Sequence, residues 1–143
     1  MMKQSNQHFS FSISVNNTID KVWQTLIDVD NWHKWDTEII AAKLEGEFKV
    51  GTKGIMKPKT GPTLKFYISE INPNQSYTFN TVMPVGELVI KRSLQVENGQ
   101  IQFTDDIAFT GFFKLLFGIM LGGKFRKVLP SVMNKFKELA EGK

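Results

Sequence analysis

Arg92 and Asp105 stand out as the charged residues most able to do chemistry, because both fall in otherwise apolar rows. Asn98-Gly99 between two alternating runs is the strongest short hairpin signal, and it folds strand 87–97 onto strand 100–110. That register sets Val96 opposite Ile101, Leu94 opposite Phe103, Ile90 opposite Ile107 and Leu88 opposite Phe109, all on one face. Within the same row Arg92 meets Asp105, while Lys91 and Asp106 pair on the wet face. Two readings of the inward pair are open. The two charges satisfy each other where an unpaired charge would be costly. Alternatively they are the polar handle of an apolar pocket, the guanidinium fork orienting a ligand carboxylate, phosphate or carbonyl. If the pocket is catalytic, Asp105 serves as acid or base and Arg92 stabilises an enolate. An aspartate held at low pKa by arginine is a poor base near neutral pH, which weighs against catalysis.

Other chemistries lack material. His8 and His33 are the only histidines and both lie in polar stretches, so neither a metal cluster nor a Ser-His-Asp triad is expected. The chain has no cysteine, which excludes thiol catalysis, a CxxC redox site, a zinc ribbon and a disulfide scaffold. Gly46 to Gly54 lacks the spacing of a phosphate-binding loop, and the basic stretch Lys57 to Pro62 reads as a solvated turn. No cofactor and no metal are expected.

The elements that position Arg92 and Asp105 follow from periodicity. Phe9, Phe11, Ile13 and Val15 alternate with serines, predicting a half-buried strand over 8–15. Asn17 and Thr18 offer N-cap chemistry, and Ile19, Val22, Trp23, Leu26 and Ile27 recur at helical spacing, predicting a helix over about 18–28. Asp30 to Asp36 predicts a second, short helix that sets Trp32 and Trp35 on one side. Six strand-like runs follow at 38–46, 51–57, 63–71, 76–83, 87–97 and 100–110, with connections too short for helical crossovers, so they form an antiparallel meander. Phe125, Val128, Leu129, Val132, Met133, Phe136, Leu139 and Ala140 predict a long amphipathic helix over about 115–141, with Pro130 expected to kink it. A concave sheet covered by one helix need not fill its interior, which favours a cavity. The 17 aromatic residues, Phe9, Phe66, Phe79 and Phe103 among them, are read first as core.

At 143 residues the chain is long enough for one domain, 1–143, with an ordered core of about 8–141. Met1 to His8 is polar and carries no signal-peptide stretch, so with no cysteine a cytoplasmic location is expected. The apolar run Ile107 to Leu121 includes Lys114 and is too short to span a bilayer. Charge is uneven, with seven Lys or Arg against two Glu over residues 112–143. Lys114, Lys124, Arg126 and Lys127 flank the apolar Phe112 to Leu121 stretch, a combination that suits peripheral contact with an anionic membrane or a protein partner. A solvated face on a docked helix explains the same charges. Nucleic acid is not expected as a partner, since no stacking platform interleaved with Lys or Arg is visible. A monomer or weak homodimer is expected.

The element order β-α-α-β6-α, with Val22-Trp23 in the first helix, the Asp30 to Trp35 segment, Val50-Gly51-Thr52, the Asn98-Gly99 hairpin and the final amphipathic helix, resembles the SRPBCC superfamily. This is the START-like or birch-pollen-allergen-like group, and its polyketide cyclase/dehydrase and lipid-transport branch is the most similar. The resemblance implies an α+β helix-grip fold, a seven-stranded antiparallel sheet wrapped around the C-terminal helix, with a hydrophobic cavity between them. It further implies cavity-facing positions for Trp35, Met56, Phe66, Phe79, Arg92, Phe103, Asp105, Leu121, Phe125 and Leu129, and an entrance formed by Trp32, Phe112 and Phe113. Such a protein binds or transports a hydrophobic small molecule, a lipid, isoprenoid or polyketide-like chain. The alternative is a metal-free cyclase or dehydratase acting in the same cavity.

Overall fold

The computed structural model describes residues 7–83, 86–111 and 123–142. The serine-alternating run forms β1 (His8–Val15) and turns at Asn16 and Asn17 into α1 (Ile19–Ile27). Thr18 caps α1, its hydroxyl accepting the Lys21 N–H at 3.3 Å. A six-residue 3-10 helix, Val29–Lys34, follows and buries Val29 and Trp32. Then come β2 (Ile39–Leu44), β3 (Lys53–Pro58), β4 (Leu64–Asn72), β5 (Ser76–Met83), β6 (Gly86–Glu97), β7 (Gln100–Gly111) and the closing helix α2 (Gly123–Ala140).

The seven strands make one antiparallel sheet in the order β1-β7-β6-β5-β4-β3-β2. This is the α+β helix-grip architecture. The β6–β7 register is the one read from the hairpin, pair for pair, including Arg92 opposite Asp105. Asn98 and Gly99 both have positive φ, 53° and 77°, as a two-residue turn matching the strand twist requires. One member of the expected inward row departs from it: Val96 is 62% exposed. β5 begins at Ser76 opposite Ser93, so β6 has no strand beside it on that edge at Val96.

α2 runs through Pro130 and buries Leu129, Val132, Met133, Phe136 and Ala140 against the sheet. Phe136 lies 4.9 Å from the Trp35 ring and 4.8 Å from Phe103, centroid to centroid. On β3, Gly54 leaves room for the Phe66 ring, which stands where a Cβ would go. The first part of the expected 115–141 helix, Leu121 included, and the expected entrance residues Phe112 and Phe113 lie outside the described residues. Among the described residues no helix is long and apolar enough to cross a membrane.

Candidate ligand-binding site

The hairpin carries Arg92 to the concave face, where it is 3% exposed. Its guanidinium carbon lies 4.8 Å from the Trp32 ring centre, 4.8 Å from Trp35 and 4.9 Å from Phe79, so the cation sits in an aromatic box. Nη1 donates to the Tyr77 hydroxyl at 3.1 Å, and that hydroxyl donates to the Leu26 carbonyl at 2.8 Å. Trp32 Nε1 donates to the same carbonyl at 2.7 Å. The C-terminal end of α1, whose carbonyls lack helical partners, thereby anchors both the box and the phenol that holds the arginine.

Two carboxylates share this one cation. Asp105 Oδ1 is 3.6 Å from Arg92 Nε, too long for a hydrogen bond, and both atoms are buried without a hydrogen-bond partner. Asp36 Oδ2 is 4.0 Å from Nη2, and Asp36 Oδ1 accepts the Glu38 N–H at 3.1 Å. Burial pushes Asp105 up to about 6 against the pull of Arg92, with the nearby Asp36 charge adding to the rise. Asp36 is raised for the same leading reason, burial outweighing Arg92. Burial also carries Tyr77 up to about 12, leaving it a neutral donor. Burial works against the charge on Arg92, but the groups around it, Tyr77, Asp105 and Asp36, outweigh that and keep it a cation. A single guanidinium cannot repay the desolvation of two acids. The expectation of a low-pKa Asp105 is therefore reversed.

Above the cluster lies a cavity of about 200 Å³. Its wall is mostly apolar and includes Trp32, Ile39, Met56, Leu64, Phe79 and Phe125, with Arg92, Asp36 and Thr81 as its buried polar points and Glu38, Lys59, Thr60 and Lys124 as its more exposed ones. It occupies one end of the grip, where β5 contributes Phe79, Thr81 and Met83 and β6 contributes Leu88, Ile90 and Arg92 by strand alternation. Thr81 is wholly buried, and its Oγ1 has no hydrogen-bond partner. Pro58, Lys59 and Thr60 border the same space, so the turn read as merely solvated has one side on the cavity.

Of the residues singled out from sequence, Met56, Phe79, Arg92 and Phe125 line the cavity. Trp35, Phe103 and Leu129 are buried and do not line the cavity, and ring contacts among Trp35, Phe103 and Phe136 fill the space around them. Phe66 is buried directly behind the wall, against the rings of Trp32 and Phe79. Asp105 sits behind Arg92, 2% exposed, rather than on the wall. Trp32, expected at an entrance, is buried, because its indole is bonded to Leu26 and lies against the guanidinium. Among the wall residues that the sequence reading did not single out are the two buried polar ones, Asp36 and Thr81. Asp36 was hidden among the cap-forming residues of its segment. Thr81 shares the inward parity of Phe79, a signal that was present but unused. Among the described residues, no cluster of His, Asp or Glu could hold a metal.

Residues 6–141 match the family described as polyketide cyclase/dehydrase and lipid transport. No curated protein matches the chain in sequence. Solved structures resemble it at low identity. A hypothetical protein, jhp0584 from Helicobacter pylori, superposes with a TM-score of 0.79 at 9% identity, covering 95% of this chain and 89% of that one. The allergen Ara h 8.0201 gives 0.74 at 12%, covering 95% and 98%. The Zhui aromatase/cyclase from Streptomyces sp. R1128 gives 0.72 at 14%, covering 94% and 93%. The chain spans 50% of the di-domain ARO/CYC StfQ of the steffimycin biosynthetic pathway and 48% of DynU16. At these identities the likeness shows the fold.

Proposed function

The chain belongs to the polyketide cyclase/dehydrase and lipid-transport family, and from that premise we propose that it binds a hydrophobic small molecule in the cavity between the sheet and α2. The observation that carries this reading is the apolar space of about 200 Å³ with a boxed guanidinium on its wall. Cavities of roughly 150 Å³ with apolar walls accept a benzene-sized guest, so this one takes a ring or a short chain. Burial of that guest's apolar surface supplies the affinity, and the few polar points fix its orientation. Native mass spectrometry of the gently purified protein, followed by extraction, tests the reading together with titration by the uncharged dye 1-aminoanthracene. A discrete adduct or a saturable, displaceable dye signal supports it. An empty protein that also ignores the dye removes it.

A second reading, a cyclase or dehydratase reaction in the same cavity, draws on Asp36. This carboxyl is on the wall and burial raises its pKa, as a group that gives and takes a proton requires. The acid–base role first considered for Asp105 passes to Asp36, since Asp105 lies behind Arg92. Loss of turnover of a linear poly-β-keto chain in Asp36→Asn, with binding retained, would support it. Peripheral contact with an anionic membrane is a separate proposal, resting on the basic and apolar C-terminal segment. Salt-sensitive co-sedimentation with phosphatidylglycerol vesicles tests it.

A further inference from the structure

Arg92 invites the reading that it receives an anionic head group, and the geometry around it argues the reverse. Its Nη1 is taken by Tyr77, and its Nη2 and Nε face Asp36 and Asp105. The rings of Trp32, Trp35 and Phe79 crowd the guanidinium. One cation stands against two buried acids, so the ionised cluster carries a net negative charge before any ligand arrives. A carboxylate brought to this buried end would add a third anion in a poorly solvated space, where like charges repel strongly. The two lysines that also line the cavity, Lys59 and Lys124, are exposed, so solvent and salt screen their attraction. The cluster's cationic appearance is thus cancelled from within.

Thr81 supplies what Arg92 does not. Its Oγ1 is buried on the cavity wall without a partner, and a hydroxyl both donates and accepts. A buried polar group left unmatched is costly, and a ligand oxygen would relieve it. Resting on the binding reading above, we propose that the cavity selects uncharged hydrophobic ligands bearing a hydroxyl or carbonyl, held by Thr81 Oγ1, and excludes carboxylates through Asp36 and Asp105. Asp36 is the member of the acid pair on the wall, so it is the principal source of the exclusion.

The test uses matched eight-carbon probes, 1-octanol, 2-octanone and octanoate, at pH 8 by calorimetry and by intrinsic tryptophan fluorescence, to which Trp32 on the cavity wall contributes, with 1-aminoanthracene as the reference binder. Octanol and octanone are expected to bind at least tenfold more tightly than octanoate. Thr81→Val keeps the side-chain shape and should weaken octanol by roughly fivefold, the worth of one neutral hydrogen bond. Asp36→Asn keeps the acceptor for the Glu38 N–H, and should raise octanoate affinity at least tenfold relative to octanol. Octanoate binding as tightly as octanol, or no gain for octanoate relative to octanol in Asp36→Asn, overturns the exclusion. Unchanged octanol affinity in Thr81→Val, with its circular dichroism intact, overturns the anchor. If aminoanthracene binds and these contrasts are missing, this proposal alone fails. If neither aminoanthracene nor any probe binds, the binding reading falls with it.

Discussion

Arg92 is the residue on which the centre of the molecule depends, because it compensates two acids and fills an aromatic box at once. Arg92→Met keeps much of the volume but strands both carboxyls, and should cost about 3 kcal/mol in urea unfolding. Arg92→Lys should recover little, since an ammonium cannot keep the Tyr77 bond and the ring contacts together. The raised carboxyls give a pH dependence of definite sign. Asp105 moves from 3.8 unfolded to about 6 folded, so between those values the folded protein holds a proton that the unfolded chain releases. That contribution is full below about pH 4, falls as pH rises towards 6, and is lost above. The stability of the wild type relative to Asp105→Asn should therefore decline between pH 4 and pH 7, and a rise in that relative stability over the same range would contradict it. At this scale the Arg92–Asp105 pairing was legible because an Asn-Gly turn fixes every partner along both strands. Asp36 was not, because it lies in a turn with no period, and only tertiary packing brings it to the arginine.

At the level of elements, alternation and caps were enough. β1 and β5 run over the expected residues, 8–15 and 76–83, and Thr18 caps α1 as its side chain allows. The split between cavity wall and filled core was less accessible. Phe79 and Phe103 both point inward from their strands, yet Phe79 faces open space while Phe103 meets Phe136 and Trp35. Parity tells which face a side chain takes, and says nothing of how far along the grip α2 and the tryptophans fill it. The β2–β3–β4 region adds a constraint of its own at Gly54. A Cβ there would stand 2.5 Å from Phe66 Cζ and 2.6 Å from the Lys43 carbonyl. Gly54→Ala should cost about 2 kcal/mol, read as a lower urea midpoint with unchanged slope.

For the whole molecule, the strand order places the first strand beside the last, with β1 pairing β7 along its full length. The His8 and Asp106 side chains meet across this seam, 98 residues apart in sequence. Every other pairing joins strands that follow one another along the chain. The six-strand meander can therefore zip from the Asn98-Gly99 turn outward at little entropic cost, whereas β1 has no edge to join until β7 is in place. Phe9→Ala, at a buried β1 position opposite Ile107, should accelerate unfolding in stopped-flow measurements and leave the refolding rate nearly unchanged. Phe103→Ala, in the hairpin, should slow refolding. The seam between the two ends is then the last part of the sheet to close and the first to part, so the lifetime of the folded state is set there, far along the chain from the turn that starts it.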